Sequence, residues 1–223
     1  MQEAEQRGLF ITFEGVEGSG KSTQADLLAA VLEERGLAVV RSREPGGTPL
    51  GERVRDILLE RSDDGMEPLA ELFLFLASRA EHVVRVIVPG LARGAIVLSD
   101  RYADASVAYQ GGGRQLGADL VQRLNETATG GVQPDVTFLI DVAPETGQRR
   151  KLRRADEPDR IEQETLAFHE RIRDAYLALA AGDPARFVVV DGERDTEVIA
   201  HEILTAVEGL LATRPPGRGE GRT

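Results

Sequence analysis

A chain of 223 residues, 41% of them hydrophobic, is long enough for one domain with a sizeable core and short for two. Its 38 acidic residues outnumber 27 basic ones, and the formal charge of −11 argues against a general affinity for nucleic acid, so any phosphate-bearing ligand has to be met by a local positive site. The absence of cysteine excludes a disulfide framework and a thiolate metal site. No apolar run approaches the length of a membrane span, and a soluble cytoplasmic protein is the expectation.

Residues 1–8 are polar and too short for a signal peptide, and read as a flexible N-terminus ahead of one domain over 9–212. Residues 9–13, LFITF, form the first of five short apolar runs; the others are 37–40, 95–98, 136–140 and 187–190. Each run is continuous rather than alternating, which predicts strands buried on both faces of a parallel sheet. Leu28, Val31 and Leu32 follow helical spacing, with Gly36 placed to end that helix. Leu69, Leu72, Phe73, Leu76 and Ala80 repeat the pattern in a longer helix, expected to stop near Pro89-Gly90. Strands alternating with helices predict right-handed crossovers and a doubly wound α/β fold. The end of the chain, 213–223, is rich in Pro and Gly without an apolar anchor and is expected to be disordered.

The strongest single signal lies between the first run and the first helix. Gly15, Val16, Glu17, Gly18, Ser19, Gly20, Lys21 and Ser22 match G-x-x-x-x-G-K-[ST] at every fixed position, followed by Thr23. Glycines let backbone N–H groups turn inward around phosphate oxygens, and the helix N-terminus adds partial positive charge. Lys21 is expected to reach the β- and γ-phosphates of ATP, and the Ser22 hydroxyl to ligate Mg²⁺. Lys21 is one of only two lysines in the chain. The lysine contexts, G-K-S and R-K-L, carry no guanine-reading N-K-x-D signature, which argues against a GTPase switch.

Phosphoryl transfer requires positioning and charge neutralisation, for which the arginine fork is suited. Three arginine sites follow strand or helix ends. The segment 43–48, R-E-P-G-G-T, belongs beside the phosphate loop because open α/β sheets bind ligands at the carboxyl ends of their strands. Asp100-Arg101-Tyr102 ends the third run, with Asp100 a candidate for Mg²⁺ or its water shell and Arg101 for phosphate. Residues 149–154, R-R-K-L-R-R, hold five positive charges in an otherwise acidic chain; a solvated helix face is one explanation, a mobile lid over ATP another.

Taken together, E-G-V-E-G-S-G-K-S, R-E-P-G-G-T, D-R-Y, A-Y-Q-G-G-G at 108–113 and D-R-I-E at 159–162 closely resemble thymidylate kinases, in the family's order and at about its spacing over residues 9–211. The resemblance implies a P-loop NTPase fold with a five-stranded parallel sheet flanked by helices on both faces, a lid at about 147–160, and usually a homodimer. The implied reaction is ATP plus dTMP to ADP plus dTDP, with Mg²⁺. Carried over by position, Phe75 resembles the aromatic that stacks on thymine, and Arg79, on the same helical face, the residue that bonds the base edge. Ser106, Tyr109 and Gln110 resemble positions lining base and sugar, with Tyr109 near C2′; Arg43 and Pro45 belong to the same substrate wall. Glu17 resembles the acidic residue that contacts the acceptor sugar or magnesium-bound water. An acid at that position resembles the branch whose catalytic arginine comes from the lid, for which Arg153 is the first choice and Arg149 the second. Two other readings stay open from the residues alone: a P-loop kinase acting on a nucleoside or small alcohol, and a nucleotide-dependent binding or switch protein.

Overall fold

The computed structural model describes residues 7–61, 65–152 and 159–213. The five apolar runs become β1 (Phe10–Glu14), β2 (Val39–Arg43), β3 (Ile96–Asp100), β4 (Val136–Asp141) and β5 (Phe187–Asp191). They form one sheet in the order β2-β3-β1-β4-β5, and every neighbouring pair is parallel. The helices are α1 (Lys21–Glu34), α2 (Pro49–Leu59), α3 (Pro68–His82), α4 (Val88–Ala92), α5 (Ala103–Ser106), α6 (Ala118–Thr129), α7 (Pro144–Leu152), α8 (Leu166–Gly182) and α9 (Thr196–Ala212).

The strands are continuous apolar runs because both sheet faces are covered. Ile11, Phe13, Leu98, Phe138 and Ile140 point to one face, where Leu28 and Leu32 of α1 and Ile199, Ile203 and Val207 of α9 close the core. Their sequence neighbours point the other way. Phe10 and Val97 meet Val83, Ile87 and Leu91, while Leu139 meets Phe168, Ile172 and Tyr176 of α8. Burial on both faces holds for β1, β3 and β4; the edge strands β2 and β5 are only partly buried, since each lacks a neighbour on one side.

Three expectations are corrected or sharpened. Each strand runs past its apolar run and ends on a charged residue: Glu14, Arg43, Asp100, Asp141 and Asp191 still pair in the ladder. The long helix passes through Pro89-Gly90 and stops two residues beyond it. A π-helical segment, Val83–Ile87, follows α3, and the Val88 N–H bonds back to Val83; the widened ladder lets the chain pass Pro89, which has no N–H to give, and end at Ala92. Gly8 belongs with the domain rather than with a flexible start: it is buried, and its N–H donates to the Leu91 carbonyl at 2.8 Å. The tail 214–223 lies outside the described residues.

Candidate active site

All chemistry gathers at the carboxyl edge of the sheet, where the charged strand ends meet. The loop after β1 turns into α1 at Gly20, which adopts a left-handed conformation (φ 102°) that favours glycine. Lys21 is the first helical residue, and its Nζ donates to the Val16 carbonyl at 2.8 Å and to Ser19 Oγ at 3.3 Å. Burial, reinforced by the Arg101 charge, pushes the Lys21 ammonium down to about 8 despite the nearby carboxylates. The Ser22 hydroxyl donates to Asp100 Oδ2. Gly18, Gly20, Lys21, Ser22 and Thr23 line a cleft of about 230 Å³; Gly15, Val16 and Ser19 stand behind that wall.

Arg101 sits at the centre. Its backbone is left-handed (φ 73°), a conformation rare for a residue with a Cβ and held here by its N–H on the Phe13 carbonyl at 3.0 Å. The guanidinium donates through Nη1 to the Gly15 carbonyl (3.0 Å) and Tyr176 Oη (3.1 Å), and through Nη2 to Glu17 Oε1 (2.9 Å) and Tyr109 Oη (2.8 Å). Tyr109 in turn donates to Glu17 Oε1 at 2.6 Å. Burial pushes the Glu17 carboxyl up, but Arg101 and the surrounding donors outweigh it and hold it well below the usual carboxylate range. Below this knot Glu14 is fully buried, accepting from the Tyr102 N–H at 2.7 Å and from the Tyr176 hydroxyl at 2.6 Å. Burial first, and the Asp104 charge second, push its carboxyl up to about 8.

The opposite wall comes from the loop after β2 and from α2, α3, α5 and the π-helical segment Val107–Gly113. Arg43, Pro45, Phe75, Ser106, Tyr109 and Gln110 all line it. Thr48 caps α2 by accepting from the Gly51 N–H at 2.9 Å with Pro49 in the first turn, so the predicted turn doubles as a helix start. Arg55 of α2 reaches the same cleft, its Nη1 on the Pro45 carbonyl at 3.1 Å. Burial first, and the neighbouring Arg43 second, depress its proton affinity against the opposing pull of Glu52, which is itself paired with Arg43 at 2.7 Å.

Arg79 departs from its expected position. It lies beneath the wall rather than on it, 1% exposed. Four of its five N–H groups are engaged: Nε by Glu44 Oε2 at 2.8 Å, Nη1 by Ser106 Oγ at 2.9 Å and Asn125 Oδ1 at 2.6 Å, Nη2 by the Tyr102 carbonyl at 2.9 Å. A buried cation needs this many partners, and meeting them turns the fork toward the protein interior.

A phosphate-binding loop therefore faces a wall of arginine, aromatic and amide groups across one cleft, and the comparisons with known proteins agree. A family model described as thymidylate kinase matches residues 13–203. The chain belongs to the thymidylate kinase family. It is 47% identical over 209 residues to a thymidylate kinase of Trichlorobacter lovleyi, covering 92% of this chain and 99% of that one, and 51% identical over 195 residues to one of Geobacter sp., covering 85% and 87%. A crystal structure of thymidylate kinase from Ehrlichia chaffeensis superposes with a TM-score of 0.73 at 35% identity, over 91% of this chain and 99% of that one. The sheet with helices on both faces is accordingly a P-loop NTPase fold.

Within this thymidylate kinase frame the residues expected to form a lid divide. Arg149 on α7 is exposed, donates to Thr146 Oγ1 at 3.0 Å and does not line the cleft. Arg150 donates to the Gly192 carbonyl at 2.9 Å. Lys151, not singled out from the sequence, does line the cleft, paired with Glu162. Arg153 lies outside the described residues. The first turns of α7 touch the phosphate loop directly: a Cβ on Gly147 would fall 2.1 Å from the Glu17 carbonyl oxygen, and one on Gly18 2.2 Å from the Gly147 carbonyl oxygen.

Of the three positions expected to serve Mg²⁺, Ser22 and Asp100 are in contact at the cleft, whereas Glu17 is committed to Arg101 and Tyr109. Among the described residues no group of three or more His, Cys, Asp or Glu forms a metal cage. A hydroxyl beside a carboxylate suits a hard cation that takes few protein ligands and completes its shell with phosphate oxygens and water. Glu14, buried beneath the site, and Arg55, which lines the cleft, were not picked out from the sequence. Glu14 was visible as the first residue of E-G-V-E-G-S-G-K-S, a carboxylate at the mouth of a buried strand; Arg55 sits in no motif.

Proposed function

We infer that the protein carries out the reaction its family is named for: it phosphorylates dTMP to dTDP, with ATP as the phosphoryl donor. The observation that carries this reading is the single cleft in which Lys21 and Ser22 of the phosphate loop face Arg43, Arg55, Phe75 and Gln110 across Arg101. The N–H groups of residues 18–22 and Lys21 cradle the donor phosphates. Arg43, paired with Glu52, and Arg55, which lines the same wall, receive the acceptor phosphate, and Phe75 stacks on the base. Arg79 acts from behind the wall, orienting Ser106. Glu17, fixed by Arg101 and Tyr109, meets the sugar.

The acceptor phosphate is a dianion and needs no general base; the barrier lies in bringing two polyanions together. Ser22 and Asp100 would hold Mg²⁺, which supplies charge neutralisation between the donor phosphates when bound. Lys21, Arg101 and a lid cation neutralise the rest. Arg153 is the lid arginine favoured here, since Arg149 turns to Thr146. The protein is proposed to work in the cytoplasm as a homodimer, and the exposed Leu69, Phe73, Val84 and Val88 along α3 and its continuation favour the dimer.

ADP formation measured against a panel of nucleoside monophosphates tests the acceptor: dTMP is expected to lead, and higher turnover of AMP, CMP or GMP would refute it. For the lid, Arg153→Ala is expected to lower kcat by about a hundredfold or more while KM for dTMP changes little, and a pure KM effect would move Arg153 to substrate binding.

A further inference from the structure

Gln110 and Glu71 form a buried pair at the floor of the acceptor wall, each 1% exposed. Gln110 Nε2 donates to Glu71 Oε1 at 2.8 Å, while Gln110 Oε1 is buried with no hydrogen-bond partner although the residue lines the cleft. Glu71 is itself gripped by two guanidinium groups. Arg114 Nε and Nη2 reach its two oxygens at 3.2 and 3.1 Å, and Arg160 Nη2 reaches Oε2 at 2.7 Å. Burial pushes the Glu71 carboxyl up, but the hydrogen bonds from Arg114, Gln110 and Arg160 prevail and hold it below its ordinary range, hence ionised. The cluster joins two motifs whose purpose the phosphate chemistry leaves unexplained, since Gln110 and Arg114 flank the glycines of A-Y-Q-G-G-G and Arg160 belongs to D-R-I-E.

An ionised carboxylate only accepts hydrogen bonds. An amide beside it has to offer its NH2 group, because the opposite orientation would set oxygen against oxygen. The amide oxygen is thereby left toward the cleft as an acceptor in need of a donor. A pyrimidine ring distinguishes itself at N3: thymine and uracil carry N3–H, a donor, whereas cytosine presents a bare N3, an acceptor.

We propose that Glu71 is a positioning residue for base choice: it fixes the Gln110 amide so that Oε1 accepts from the N3–H of the acceptor's base and opposes cytosine. This rests on the reading that Gln110 meets the base edge. A site built around one hydrogen-bond direction rejects the analogue of opposite polarity because buried acceptors are left unpaired.

Glu71→Gln, in which residue 71 gains a donor and the Gln110 amide is free to turn over, is the test, with kcat/KM measured for dTMP, dUMP and dCMP. The expected result is a dTMP:dCMP ratio lowered by about tenfold or more with the dTMP:dUMP ratio unchanged, since both of the latter carry N3–H. Glu71→Asp, still an acceptor only, is expected to keep the wild-type ratios. A uniform fall for all three nucleotides, or equal shifts in both ratios, would mean that Glu71 merely supports the fold, and would overturn the proposal. Gln110→Ala separates this from the underlying reading: an unaltered dTMP:dCMP ratio there means that Gln110 does not meet the base. A lowered ratio in Gln110→Ala but not in Glu71→Gln sinks the Glu71 role alone. Should Glu71→Gln fail to fold, amide exchange in the wild-type protein decides. The Gln110 side-chain signal, identified by its loss in Gln110→Ala, is expected to show one proton protected from solvent, and free exchange of both protons would overturn the proposal.

Discussion

At the scale of single residues, the site is organised by buried charges whose partners are unequal. Arg101 satisfies Glu17 but only borders Glu14, and the two acids respond in opposite directions, Glu17 falling and Glu14 rising to about 8. A carboxyl raised in the folded protein binds its proton more tightly folded than unfolded, so its contribution is fully present below the ordinary value of 4.5 and is lost as pH rises through about 8. Stability should therefore decline between those limits by up to about 1.4 kcal/mol per pH unit on account of this one group. Glu14→Gln removes the titration and keeps an acceptor for the Tyr102 N–H. Denaturant unfolding at intervals from pH 5 to 8 should give a wild-type curve that falls relative to the variant, and parallel curves would assign the carboxyl an ordinary proton affinity. The same residue shows what a sequence hides: Glu14 is plainly an acid after an apolar run, but its Tyr176 partner lies 162 positions away.

At the scale of elements, legibility followed locality. The five strands, their parallel direction and the phosphate loop were readable because periodicity and a glycine pattern are local signals, and the polar residues that end each strand were missed because they pair only in the sheet. Pro89 looked like a stop because the compensating π-helical turn leaves no mark in sequence. Phe75 lines the cleft, whereas Arg79, one turn later, is turned inward to Glu44 and Asn125, partners that no spacing rule reveals. Arg55 was invisible for the converse reason, since a charged residue on an amphipathic helix ordinarily faces solvent. The contact between α7 and the phosphate loop is equally silent in sequence, a glycine apposed to another 129 positions away. Gly147→Ala tests it. A methyl there meets backbone rather than a pliable side chain, so α7 or the loop must move by about an ångström, a displacement that costs catalysis far more than stability. Alanine also favours the helix slightly. We expect kcat/KM for ATP to fall by about tenfold or more with little change in Tm, and unaltered kinetics would remove the contact from the mechanism.

At the scale of the whole molecule, one surface is out of keeping with the rest. The chain carries a charge of −11, yet Leu69, Phe73 and Ala77 of α3 and, beyond the π-helical turn, Val84 and Val88 follow one another at four- or seven-residue intervals, all exposed. Phe73 is 53% and Val84 63% exposed, and Leu50 and Ile57 of α2, which packs against α3, are 44% and 49% exposed. A row of apolar side chains at helical spacing belongs against another surface. A second copy of the chain suits it, since a two-fold axis would bring the same row against itself without requiring charge complementarity between two acidic molecules. Phe73→Asp should place two like charges near such an axis and convert a particle of twice 24.2 kDa into one of 24.2 kDa, read by light scattering across a dilution series. Lys21, Arg43, Arg55, Phe75, Arg101 and Gln110 of one chain meet at one cleft, so the separated subunit is expected to keep turnover when assayed cold, while melting at lower temperature than the wild type. A variant that stays the size of the wild type would put the subunit contact elsewhere and leave the row on α3 without a role.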